Sequence, residues 1–154
     1  MAADPGTGLN ILVVDDEAMI QDFFARLAGA RGWEGVDRAS NGEEALNQVL
    51  RRVYDLITVD LEMPGVNGLE VVAMLRNMNP RAVICIISGH LPERLEDDVA
   101  ACIDLALAKP LDTVTFNRLL DAAADLRRSL EAIRSIGDTR LAPPPNDPNR
   151  QEGP

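Results

Sequence analysis

The chain has 154 residues, 46% of them apolar and 26% charged, a size and balance suited to one soluble globular domain around a single core. Fifteen basic against twenty-five acidic side chains leave a net charge of -10, which repels nucleic acid and anionic membrane surfaces and argues against direct DNA binding. No apolar run reaches the roughly 18 residues of a membrane span, and the start lacks a charged segment followed by an apolar one, so the expected location is the cytoplasm.

Residues 1–8 (MAADPGTG) are small and turn-forming and are expected to be disordered. The run LNILVV (9–14) reads as a strand, and residues 17–30 as a helix whose Ile20, Phe23, Phe24 and Leu27 form one buried stripe. A second strand, EGVDRA (34–39), leads into Ser40-Asn41-Gly42-Glu43, which fits a capping box opening a helix over 41–52. The strand DLITVD (55–60) follows, then a helix over 68–78 with Asn67 as its cap. Next come the strand AVICIIS (82–88), a helix over 92–103, and the strand DLALA (104–108). A last helix over 113–136 is capped by Asp112. Residues 137–154 carry Pro143, Pro144, Pro145, Pro148 and Pro154 among polar residues and are expected to be a disordered tail.

Five strands alternating with five helices give a (βα)5 arrangement. ILVV and VICII are apolar without alternation, as in a parallel sheet covered on both faces, so the architecture is a doubly wound α/β sandwich. Cys85 and Cys102 each lie in an apolar stretch and read as buried thiols. His90 is the only other soft metal ligand, which leaves no zinc site.

In such sheets function gathers where strands end. Strand one ends in Asp15-Asp16-Glu17, strand three in Asp60, strand four in Ser88-Gly89 and strand five in Lys109-Pro110. The acidic first loop excludes a dinucleotide or P-loop site, which needs glycines and free amides there. Converging carboxylates repel unless protonated or bridged, and oxygen-only ligands suit Mg2+ or Mn2+. Lys109 adds a positive charge from the other side. A metal and an ammonium together stabilise charge on a phosphoryl group in transfer.

At these residues the chain resembles the receiver domains of bacterial two-component response regulators, in ILVVDDE (11–17), DLITVDLEMPGVNGLEV (55–71), IISGH (86–90) and LAKPL (107–111). The resemblance covers about residues 9–126, taken as the receiver domain, with 127–136 extending its last helix. It implies a flavodoxin-like fold with strand order 2-1-3-4-5. It further implies that Asp60 is the phosphoacceptor, fed by a sensor histidine kinase or histidine phosphotransfer protein. Asp15, Asp16, Asp60 and the Glu62 backbone carbonyl would hold Mg2+. Ser88 would be the switch hydroxyl and Lys109 the cation that pairs with Asp60 and then with the phosphoryl group. Met63-Pro64-Gly65 would shape the site, with Gly68 opening the next helix. Such a chain is not an enzyme in the ordinary sense, since it catalyses only its own phosphoryl transfer and dephosphorylation.

Two departures stand out. Receivers usually carry Tyr or Phe three residues before the lysine, where this chain has Ala106, so signalling by ring rotation is not available. The last helix keeps Phe116, Leu119, Ala123, Leu126, Leu130 and Ile133 at heptad positions and is too long for so small a sheet. Leu130, Ile133 and Ile136 then need cover from a homodimer seam, a partner's helix or the domain itself. Glu62 and His90 occupy the two positions that resemble those tuning phosphoryl lifetime, although His90 reads equally as a plain exposed loop residue. With only the short tail after the last helix, output is expected through protein contacts. Two other readings stay open: a degenerate receiver acting as a constitutive binding module, or a metal-dependent phosphatase.

Overall fold

Residues 8–65 and 68–137 are described by the computed structural model. The expectations for 1–7, for the Asn67 cap and for 138–154 lie outside the described residues. In chain order the elements are β1 (Ile11–Val14), α1 (Ala18–Ala30), β2 (Val36–Ala39), α2 (Gly42–Arg51), β3 (Leu56–Val59), α3 (Gly68–Met78), β4 (Val83–Ser88), α4 (Asp97–Ala100), β5 (Leu105–Ala108) and α5 (Thr113–Ile136). All strand pairs are parallel, in the order β2-β1-β3-β4-β5.

Successive side chains of a strand point to opposite faces, so a fully apolar strand supplies two cores at once. Leu12, Val14, Ile57, Val59, Ile84 and Ile86 pack with α2 and α3 around Val49, Val71, Val72 and Leu75. Ile11, Val13, Leu56, Cys85 and Ile87 pack with α1 and α5 around Phe24, Ala28, Phe116 and Leu120. Phe24 and Phe116 meet edge to face with ring centroids 4.1 Å apart, which ties the two helices of that layer together. Cys85 and Cys102 are free, the first buried and the second half-buried.

Two local expectations are corrected. The cap of α2 is Asn41, whose side chain accepts from the Glu44 amide at 2.8 Å, while Glu44 reaches back to the Ser40 amide at 2.7 Å. The reciprocal box therefore sits one residue later than Ser40 and Glu43, because Asn41 is as good an acceptor as serine and Glu44 completes the pair. The cap position of α1 belongs to Glu17, whose side chain makes no capping bond. The helix expected over 92–103 shrinks to Asp97–Ala100, none of it buried. Short helices persist by burying a face, and the neighbouring strand offers only the exposed methyls of Ala106 and Ala108. Asp112 does cap α5, accepting from the Thr115 amide at 2.7 Å. That contact, with the Thr115 hydroxyl beside it, holds the Asp112 carboxyl below the usual carboxylate range.

Candidate phosphoryl-transfer site

The sheet order places β1 and β3 side by side at its centre, where the chain reverses direction and the crevice opens at the carboxyl edge. Backbone ladder bonds run one residue past the strands. The Asp15 amide donates to Ala39 at 3.0 Å and the Asp60 amide to Val14 at 2.9 Å, so both carboxylates leave the sheet from fixed points. Asp15 and Asp60 are buried and Asp16 is exposed. One carboxylate oxygen from each of the three falls within 4.8 Å of the others. Three hard oxygen donors at that spacing fit a divalent cation such as Mg2+.

Lys109, one residue beyond β5, is held by its amide bond to the Ser88 carbonyl at 2.9 Å and precedes a cis bond to Pro110. Its ammonium reaches Asp15 at 2.9 Å, Glu17 at 2.9 Å and Asp60 at 3.2 Å. Burial works against the Lys109 charge, but the hydrogen bonds to Glu17, Asp15 and Asp60 outweigh it and push the pKa up. For Asp15 burial is the dominant effect and raises the pKa, only partly countered by the Glu17 amide bond and by Lys109, with Asp60 repelling.

The loop after β3 wraps Asp60. The Glu62 amide donates to Asp60 Oδ1 at 2.9 Å. Gly65 takes φ +100°, a left-handed conformation that favours glycine, and turns the loop toward α3. A Cβ on Gly68 would lie 3.1 Å from the Leu61 Cα and 3.3 Å from the Asp60 carbonyl, so a side chain there would press the start of α3 away from that backbone. Ser88 is buried, and its hydroxyl accepts from the His90 amide at 3.3 Å and donates to the His90 carbonyl at 3.4 Å. The Glu62 carboxylate meets His90 Nδ1 at 2.5 Å, bridging the loops after β3 and β4. Ala106 sits in β5 opposite Ile86 with its methyl exposed.

Two further residues take part. Glu17 reads in the sequence as one more acid at the end of the first strand, and in the structure it is a partner of Lys109. Gln21, buried on α1, donates to the Asp15 carbonyl at 2.7 Å and braces that loop. In the sequence Gln21 is marked only as a polar residue next to the apolar stripe of the first helix.

Comparisons with known proteins agree with this geometry. The response regulator receiver domain family matches residues 11–122. The transcriptional regulatory protein ResD of Bacillus subtilis is 42% identical over 101 residues, which are 65% of this chain and 41% of ResD. The chemotaxis protein CheY of Thermotoga maritima is 30% identical over 82 residues, 53% of this chain and 68% of CheY. The chain spans 33% and 23% of the first two curated relatives, a positive alginate biosynthesis regulatory protein of Pseudomonas aeruginosa and a protein-glutamate methylesterase/protein-glutamine glutaminase of Treponema denticola. Among solved structures, a response regulator from Burkholderia pseudomallei with a phosphorylated aspartic acid and a calcium ion superimposes with TM-score 0.66 at 29% identity. That match covers 82% of this chain and 74% of the other. TrrA of Thermotoga maritima, in complex with Mg(2+)-BeF, gives TM-score 0.64 at 33% identity over 73% of this chain and 96% of its own. Among the described residues no helix is long and apolar enough to cross a membrane. The chain belongs to the response regulator receiver domains of two-component systems, a fold that carries an acidic Mg2+-binding pocket.

Proposed function

We propose that Asp60 takes a phosphoryl group from the phosphohistidine of a sensor histidine kinase or histidine phosphotransfer protein. An Asp60 carboxylate oxygen forms the new bond to phosphorus, the P–N bond breaks, and the leaving imidazole nitrogen keeps the electron pair and takes a proton. Asp15, Asp16, Asp60 and the Glu62 backbone carbonyl are the ligands proposed for Mg2+ or Mn2+, which when bound neutralises charge on the phosphoryl oxygens. The observation that carries the reading is the meeting of three carboxylates within 4.8 Å with the Lys109 ammonium 3.2 Å from Asp60. The regulators with a phosphorylated aspartate and with Mg2+ support it, as does TrrA, which forms a complex with the histidine kinase ThkA.

Phosphorylation adds about one negative charge and three acceptor oxygens at Asp60. In this reading Lys109 turns to the phosphoryl group, and Ser88 gives up its bonds to His90 to join it. The signal then leaves in the cytoplasm through protein contacts, with a second copy paired through α5 or a partner's helix as candidate receivers. Glu62 and His90, in contact across the mouth of the site, set how fast the acyl phosphate hydrolyses.

Acetyl phosphate with Mg2+ tests the chemistry. Wild type should incorporate one phosphoryl group by mass spectrometry, while Asp60→Asn, or wild type in EDTA, should incorporate none. Incorporation by the Asp60→Asn protein would overturn the assignment. No incorporation by wild type would favour the second reading, a phosphorylation-independent binding module, for which Ala106 speaks. Exchanging Glu62 and His90 for alanine and finding an unchanged phosphoryl half-life would remove the tuning role.

A further inference from the structure

α5 runs antiparallel to the strands, so its last turns reach the amino edge of the sheet, opposite Asp60. There its wall faces the loops before β3 and β4 across two joined clefts of about 660 and 390 Å3, which share Pro80, Arg81, Ala82, Leu126 and Leu130. The floor is apolar and open: Val53 is 73% exposed, Leu126 44% and Met78 39%. Ile133, one turn past Leu130, is 63% exposed and continues the stripe.

The charges are unevenly settled. The acids lining the clefts are all paired: Asp55 and Glu131 with Arg127, and Asp104 with Arg76. Arg81 and Arg134 line the larger cleft, and among the described residues neither makes an ion pair. An apolar floor with two uncompensated guanidinium groups fits an occupant that is apolar on one face and acidic on its flanks, despite the net charge of -10 on the chain as a whole. A second copy meeting this face through its own α5 would bring the same two unpaired guanidinium groups to the seam from each side.

We propose that this groove is a docking surface for an acidic amphipathic helix of a partner protein. The surface stands apart from the phosphotransfer reading and works whichever state Asp60 is in.

The probe is a fluorescein-labelled helical peptide with leucines at i, i+3, i+4 and i+7 and glutamates on its flanks, beside a twin with lysines in their place. Fluorescence anisotropy should show the glutamate peptide binding at least about ten-fold tighter than the twin, with the preference falling as salt rises. Arg81→Glu with Arg134→Glu should cost the glutamate peptide about ten-fold and let the lysine twin bind, a charge exchange that misfolding cannot mimic. Arg81→Gln with Arg134→Gln, overlaying wild type in thermal melts, should lose the preference without reversing it. Equal binding of the two peptides, or binding of neither, overturns the proposal. So does a wild-type dimer in sedimentation that Ile133→Glu dissociates, which would give the groove to a second copy.

Discussion

Replacing Asp15 by Asn should stabilise the metal-free protein and remove its response to Mg2+. Asp15 is 2% exposed, beside one ammonium and two further carboxylates. At an effective dielectric of about 20, repulsion from each carboxylate, which lies within 4.8 Å, costs at least about 3.5 kcal/mol, and attraction to Lys109 at 2.9 Å returns about 6 kcal/mol. These pair terms nearly cancel, so the cost of burying the charge decides the sign, in agreement with the raised Asp15 pKa. Asparagine keeps the acceptor for the Glu17 amide and drops the charge. The expected gain is about 1–2 kcal/mol, or some 4–8 °C in the melting temperature at pH 7 in EDTA. Because the pKa is raised on folding, the cost exists only above the folded value, and it fades as pH falls through that value toward about 3.8. The advantage of the variant should shrink over the same range. With Mg2+ at about 100 times its dissociation constant, wild type should gain about 2.7 kcal/mol and the variant far less. Calorimetric melts with EDTA and with Mg2+ decide it. A variant less stable than wild type in EDTA, or equal Mg2+ gains in both, refutes the reasoning.

Gly68→Ala should cost about 1–2 kcal/mol in urea unfolding and slow phosphorylation by acetyl phosphate, since its Cβ would press on the backbone of Leu61 and Asp60. Asn41→Ala should cost about 1 kcal/mol through loss of the α2 cap, with phosphorylation unchanged. Burial pushes the Cys85 thiol up to about 12, helped by the Asp104 charge. A thiol-disulfide reagent at pH 8 should therefore modify Cys102 in the native protein and reach Cys85 only after denaturation.

Much of this was legible because strand ends and apolar runs are local in sequence. ILVV followed by Asp15-Asp16, and DLITV followed by Asp60, announce two buried strands delivering acids to one edge, and the structure brings those acids together. What escaped depends on competition between neighbours. Ser40 and Asn41 are both good caps, and the choice turned on whether Glu43 or Glu44 could reach back. Residues 92–103 have helical spacing at Leu95, Val99 and Cys102, but a stripe forms a long helix only if something large packs beneath it, and β5 presents alanines. The part Glu17 plays needed the position of Lys109, which stands 92 residues further along the chain.

The alanine that leaves β5 without a rotating ring also bears on how a change at Asp60 travels. A ring at position 106 would reach from the Ser88 hydroxyl toward the outer face of β5, and a methyl group cannot. The links present are on the other loop. Ser88 is bonded to both backbone groups of His90, and the His90 ring is bonded to Glu62, whose amide holds Asp60. Drawing the Ser88 hydroxyl toward a phosphoryl group would cost that turn two weak bonds of 3.3 and 3.4 Å and leave the Glu62 contact to carry the strain. Just beyond lies α4, four residues long with none buried, so few packing contacts oppose its rearrangement. With Ala106 in place of a ring, the bonds that lead away from Ser88 run along the backbone from Ser88 toward α4.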